Sequence, residues 1–167
     1  MAIAKTYILQ NLSTLEHRFN HARSQKILLL YSKVAVLELC GWIEMTMDEI
    51  VLGLARRKLK DVDNLKRVDA ETKRNHGFDY DNNYRKLLCY CIGIVTVEKI
   101  EQKADITKFV KLKAELKNLK QSRDALAHTY VKGFTHQIDA PSITRSRFIH
   151  LYDGLKDLER AIATTLR

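Results

Sequence analysis

The stretch Phe109–Tyr130, FVKLKAELKNLKQSRDALAHTY, decides the fold. Phe109, Leu112, Leu116, Leu119, Arg123, Leu126 and Tyr130 recur alternately three and four residues apart. That spacing gathers side chains on one stripe of an α-helix and packs the stripe against a second helix. Asp105 can cap this helix, which is expected to run from Ile106 to about Val131, and Gly133 is a natural stop. Arg123 occupies a seam position where Leu is expected. Burying a lone guanidinium is costly, so the seam must open there to water, an anion or a facing carboxylate.

The same periodicity extends in both directions. A first helix is expected over about Thr6 to His21, with Ile8, Leu12, Leu15 and Phe19 on one stripe. A second, from about Ser24 to Lys60, would be roughly 50 Å long at ~1.5 Å per residue. Apolar residues wrap most of its circumference between Ile27 and Trp42, which calls for neighbours on several sides. Lys33, Glu38, Glu44, Asp48 and Glu49 interrupt its greasy run, so it is a central core helix and not a lipid span. Arg56, Arg57, Lys58 and Lys60 suit its carboxyl end.

Asp61–Asn83 is the least apolar stretch. It is expected to be a long connection with one short helix near Val62–Val68. Lys66, Arg67, Lys73, Arg74 and His76 make it either a basic flap or an ordinary solvated loop. A third helix, capped by Asp81 or Asn82, should turn Tyr84, Leu87, Leu88, Cys91, Ile92 and Val95 inward. The last begins near Ser142 to Thr144, after Pro141, and buries Phe148, Leu151, Tyr152, Leu155, Leu158 and Ile162. The expectation is one all-α domain, residues 1–167, built as an antiparallel bundle of about five helices with a long central second helix.

Composition agrees. One Pro and six Gly in 167 residues are too few for a turn-punctuated β protein. The amino terminus lacks the pattern of a secretory leader. Cys40, Cys89 and Cys91 sit in apolar surroundings where thiols usually pack, which suggests a reducing, cytoplasmic compartment. Cys89-Tyr-Cys91 does not have zinc-knuckle spacing. His17 and His21 lie four apart, with no third ligand visible, so no metal or cofactor is expected. There is no phosphate-binding Gly-rich loop, His-Glu-x-x-His helix or serine nucleophile elbow. The net charge of +9 favours polyanionic partners or is simply that of a basic soluble protein.

Near the end of the seam, Arg123, Asp124, His128 and Tyr130 form a set able to cleave a phosphodiester without a metal. Arg123 can hold the scissile phosphate and stabilise charge developing on its oxygens. An unperturbed imidazole has its pKa near neutrality, so His128 suits general acid–base work. Asp124, four residues earlier, can orient that imidazole. The nucleophile would be the substrate's own 2′-hydroxyl, which specifies RNA. Arg123 and His128 stand roughly 140° apart on an ideal helix, so two copies meeting across a dyad would ease the geometry. The same residues on a surface helix can also be merely solvated.

Arg123-Asp-Ala-Leu-Ala-His128-Thr-Tyr130 resembles the Arg-x4-His-x-Tyr signature of HEPN-domain ribonucleases, including the polar residue after Arg. The resemblance implies a HEPN-like bundle over essentially the whole chain. It also implies a metal-independent endoribonuclease, acting as a homodimer with both motifs lining one interface cleft. Its products would be a 2′,3′-cyclic phosphate and a 5′-hydroxyl. The Tyr-containing form is similar to toxins of HEPN/minimal-nucleotidyltransferase (MNT) pairs, in which the antitoxin adenylylates the motif tyrosine, here Tyr130. A prokaryotic toxin or phage-defence component is therefore expected. Glu38, Glu44 and Asp48 are candidates for the acidic residue that some families add from an earlier helix. The alternative is a non-catalytic helical dimer acting as a protein- or nucleic-acid-binding module.

Overall fold

The computed structural model describes residues 3–127, 130 and 137–166. Among these residues the chain is all helical. Seven α-helices succeed one another: α1 (Thr6–Asn20), α2 (Gln25–Lys58), α3 (Val62–Arg74), α4 (Arg85–Ile92), α5 (Ile94–Lys103), α6 (Ile106–Ala127) and α7 (Pro141–Thr165). A π-helical turn, Tyr80–Tyr84, leads into α4.

Helix α2 is the centre of the bundle, packed against α1, α3, α4, α6 and α7. Ser24 caps it by accepting the Ile27 N–H, and Arg56, Arg57 and Lys58 complete its last turn. Its length and position match the sequence expectation. Leu39, Ile43, Leu54, Leu112, Leu116, Leu119, Leu151 and Leu155 meet in the core. Helices α6 and α7 approach closely at Gly154, where a Cβ would come within 2.8 Å of Leu112 Cβ. Asp105 caps α6 through the Lys108 N–H at 3.0 Å. The buried Asp157 carboxylate of α7 takes the Asp105 N–H at 2.7 Å, tying the two helices together. Pro141 occupies the first turn of α7, where its missing N–H costs nothing.

The expected arrangement of about five helices needs correction in four places. Asp61–Asn83 is not mainly a connection: α3 extends to Arg74, capped by Asp61, whose carboxylate accepts the Asp63 and Asn64 N–H groups. The expected third helix is two. Gly93 adopts φ +80, a conformation that L residues rarely adopt, and it separates α4 from α5. Val95 consequently faces solvent, while Tyr84, Leu87 and Leu88 are buried as expected. The cap before α4 is Asp79, which accepts the Asn82 N–H at 2.8 Å, rather than Asp81 or Asn82. The Tyr84 N–H reaches back five residues to Asp79 O, and this wider turn puts both Tyr80 and Tyr84 into the core. Finally, Tyr130 lies outside any helix and is 74% exposed, so it does not continue the buried seam.

No helix among the described residues is long and apolar enough to cross a membrane. Cys40 is buried, Cys89 and Cys91 are half-buried, and all three are free thiols.

Candidate functional site

Of the partners its seam position allowed (water, an anion or a facing carboxylate), Arg123 meets a facing carboxylate. Nη1 donates to Glu44 Oε1 of α2 at 2.7 Å. On the other side, Nε and Nη2 grip Asp124 Oδ1 at 3.0 and 2.9 Å. The guanidinium also lies over the buried Phe78 ring, 5.4 Å from its centroid, a cation–π contact. Among the described residues these contacts use three of its five N–H groups, and the fork can turn the other two to a ligand. An arginine held by two carboxylates and an aromatic face loses little further freedom when it binds an anion.

The surroundings of Arg123 separate the three acidic candidates. Glu44 touches it. Asp48, one turn further along α2, lines the same cavity. Burial, then the neighbouring charge of Glu44, pushes the Asp48 carboxyl up to about 6. Glu38 points elsewhere and accepts from Asn11 Nδ2 at 2.9 Å. Cys40, one turn before Glu44, is a buried thiol pushed up to about 12, chiefly by desolvation. It is a packing residue and no nucleophile.

Asp124 has both oxygens engaged: Oδ1 by Arg123, and Oδ2 by Lys120 Nζ at 2.8 Å. The Lys120 hydrogen bond, joined by the bond and charge of Arg123, holds its carboxyl below the usual range. Asp124 thus orients the guanidinium directly. His128, for which it was also a candidate orienter, lies outside the described residues, as do Thr129 and 131–136. Tyr130 presents an exposed side chain.

The site extends beyond the motif. Arg123, Glu44 and Asp48 share a cavity of about 280 Å³ with Lys73, His76 and Gly77, all at the α3–π-turn junction. The turn is clasped by two amides: Asn83 Nδ2 donates to Asn75 Oδ1 at 2.9 Å, and Asn75 Nδ2 to Gly77 O at 3.2 Å. Gly77 has φ +140, and a Cβ there would meet Asn83 Oδ1 at 3.0 Å, so only glycine fits without strain. Sequence reasoning singled out neither Asn75 and Gly77 nor the Asn83 partner eight residues on, because the clasp depends on the path of the chain.

The wider basic flap is weaker than its composition suggests. Lys66, Lys73 and Arg74 pair with Asp63, Asp69 and Glu71 along α3 itself. Exposed pairs of this kind are worth little and can open to a stronger anion. His17 and His21 have ring centroids 4.3 Å apart. No group of three or more metal-ligating side chains occurs among the described residues.

No family model, curated protein or solved structure matches the chain.

Proposed function

We propose that this protein is a metal-independent endoribonuclease that uses the substrate's 2′-hydroxyl as nucleophile. The observation that carries the reading is Arg123, a seam guanidinium oriented by Glu44 and Asp124 at the wall of an open cavity. A guanidinium so placed can hold two phosphate oxygens and stabilise the charge that grows on them in the transition state. His128 is the acid–base group of the Arg-x4-His-x-Tyr pattern. The likeness of that pattern to HEPN ribonucleases, the all-helical fold and the net charge of +9 point the same way. The working form is a homodimer with a composite site, and the biological role is that of a toxin or phage-defence nuclease. Tyr130, 74% exposed, is open to adenylylation by an MNT antitoxin. Mass spectrometry after co-expression with such a partner should find one AMP on Tyr130, and an unmodified tyrosine in a neutralised complex removes that regulation.

Purified protein should cut single-stranded RNA in EDTA and leave 2′,3′-cyclic phosphate ends. Arg123→Ala and His128→Ala should each lower the rate at least ~10²-fold. Undiminished cutting by His128→Ala would overturn the mechanism.

The second reading, a binding module, draws on the half-open apolar groove between α1 and α2. That groove is lined by Ala4, Tyr7, Trp42 and Met45, with Tyr7 and Met45 well exposed. It predicts no cleavage by any preparation, and complex formation that survives His128→Ala.

A further inference from the structure

The Arg123 cavity holds a group for which phosphate binding has no use. Asp48 lines it one turn along α2 from Glu44, roughly 5–6 Å away between Cβ atoms. Glu44 is matched by Arg123. Asp48 is half-buried and meets no hydrogen-bond donor or ion-pair partner among the described residues. A desolvated carboxylate without a partner is costly, and in a cleft such a group is a candidate ligand contact. We propose that Asp48 reads a guanine base of the RNA, accepting from its N1–H and N2–H while Arg123 holds the neighbouring phosphate. The proposal rests on the endoribonuclease reading.

The charges around Asp48 select that ligand. Glu44 stands beside it on α2, Lys73 lines the cavity from α3, His76 from the turn after α3, and Arg123 from α6. From the π-helical turn, the buried Tyr84 hydroxyl feels its charge. Two carboxylates repel a second phosphate from the Asp48 end, while Arg123 and Lys73 repel a metal ion or an ammonium group. A neutral edge that carries N–H donors meets neither objection. Among the four RNA bases only guanine has two adjacent N–H donors on its Watson–Crick edge, so it alone can bridge both oxygens of one carboxylate. Adenine and cytosine offer one amino group, and uracil one N–H between two carbonyls.

The remaining walls suit a base as well. The cavity, about 280 Å³, is at the small end of ligand pockets and takes one ring system. The His76 ring and the Arg123 guanidinium plane are surfaces on which a base can stack. Among the described residues the Gly77 N–H has no backbone carbonyl partner, which leaves it available to guanine O6. The Asn75–Asn83 clasp fixes the turn that carries both His76 and Gly77.

The test measures binding apart from cleavage. The 3′-monophosphates of guanosine, inosine, adenosine, cytidine and uridine are titrated calorimetrically into the full-length protein, in EDTA at about pH 7.5. The guanosine form should bind ~10-fold or more tightly than the adenosine, cytidine and uridine forms, with inosine, which lacks N2–H, between them. Asp48→Asn should reduce guanosine to the level of the others, whereas Arg123→Ala should weaken all five together. The Asp48 carboxyl is pushed up to about 6, so the wild-type preference should fade as pH falls through that value, and Asp48→Asn should show no such response. Equal binding of all five, or a guanosine preference that survives Asp48→Asn, overturns the inference. If the same preparation still cuts single-stranded RNA without favouring guanine, the inference alone falls. No cleavage together with an Asp48-dependent guanosine preference overturns the endoribonuclease reading and keeps the base site.

Discussion

Asp48 carries the clearest consequence of the cavity's electrostatics. Its carboxyl, usually near 3.8, is pushed up to about 6 by burial and then by Glu44. Between those values the folded chain binds more protons at this position than the unfolded chain. Asp48 therefore favours the fold most below about pH 4, and that advantage fades as pH rises through about 6. At pH 7 the ionised carboxylate is a net cost. Asp48→Asn should raise the unfolding free energy there by about 1–3 kcal/mol and confer little at pH 4. Urea titrations at the two pH values measure this, and an equal effect at both would rule out the burial argument. Sequence periodicity made the anomaly of Arg123 legible, because a guanidinium on a leucine seam must have a partner. It could not choose among Glu38, Glu44 and Asp48. All three lie on one helix, and the choice depends on how α2 is rotated against α6, which is a tertiary fact. His76 read only as part of a basic flap for the same reason: that it lines the Arg123 cavity depends on the path of the chain between α3 and α4.

At the scale of elements, long apolar stripes were legible and short ones were not. The boundaries of α1, α2 and the start of α7 follow from caps and periodicity within a residue or two. Helix α3 offers only Leu65, Val68 and Thr72 to the interior side, too little apolar signal to stand out from a loop. Gly93 gives no warning that it takes a positive φ rather than sitting inside a helix. Gly154 is likewise silent in sequence, yet it sets how closely α6 and α7 pack. A methyl at Gly154 would meet Leu112 Cβ, a rigid atom next to the backbone, at 2.8 Å. Overpacking of this kind costs ~1–3 kcal/mol, against ~1 kcal/mol that alanine contributes through helix propensity. Gly154→Ala should therefore lower stability by up to about 2 kcal/mol, seen as a reduced denaturation midpoint with unchanged m-value. A stabilised variant would mean that the two helices separate easily at this contact.

For the whole molecule, the decisive issue is which chain supplies each half of the site. Helix α2 brings Glu44, α6 brings Arg123, and the α3 turn brings His76, all within one copy. In the proposed homodimer a second copy supplies the His128 imidazole, since positions five apart stand roughly 140° apart on an ideal helix. In a symmetric dimer with composite sites, mixing Arg123→Ala and His128→Ala chains creates heterodimers in which one site collects both intact residues. Random exchange makes half of the dimers mixed, with one live site in two. The mixture should therefore recover about a quarter of wild-type RNA cleavage, although each variant alone is inactive. A site completed within one chain gives no recovery at any ratio.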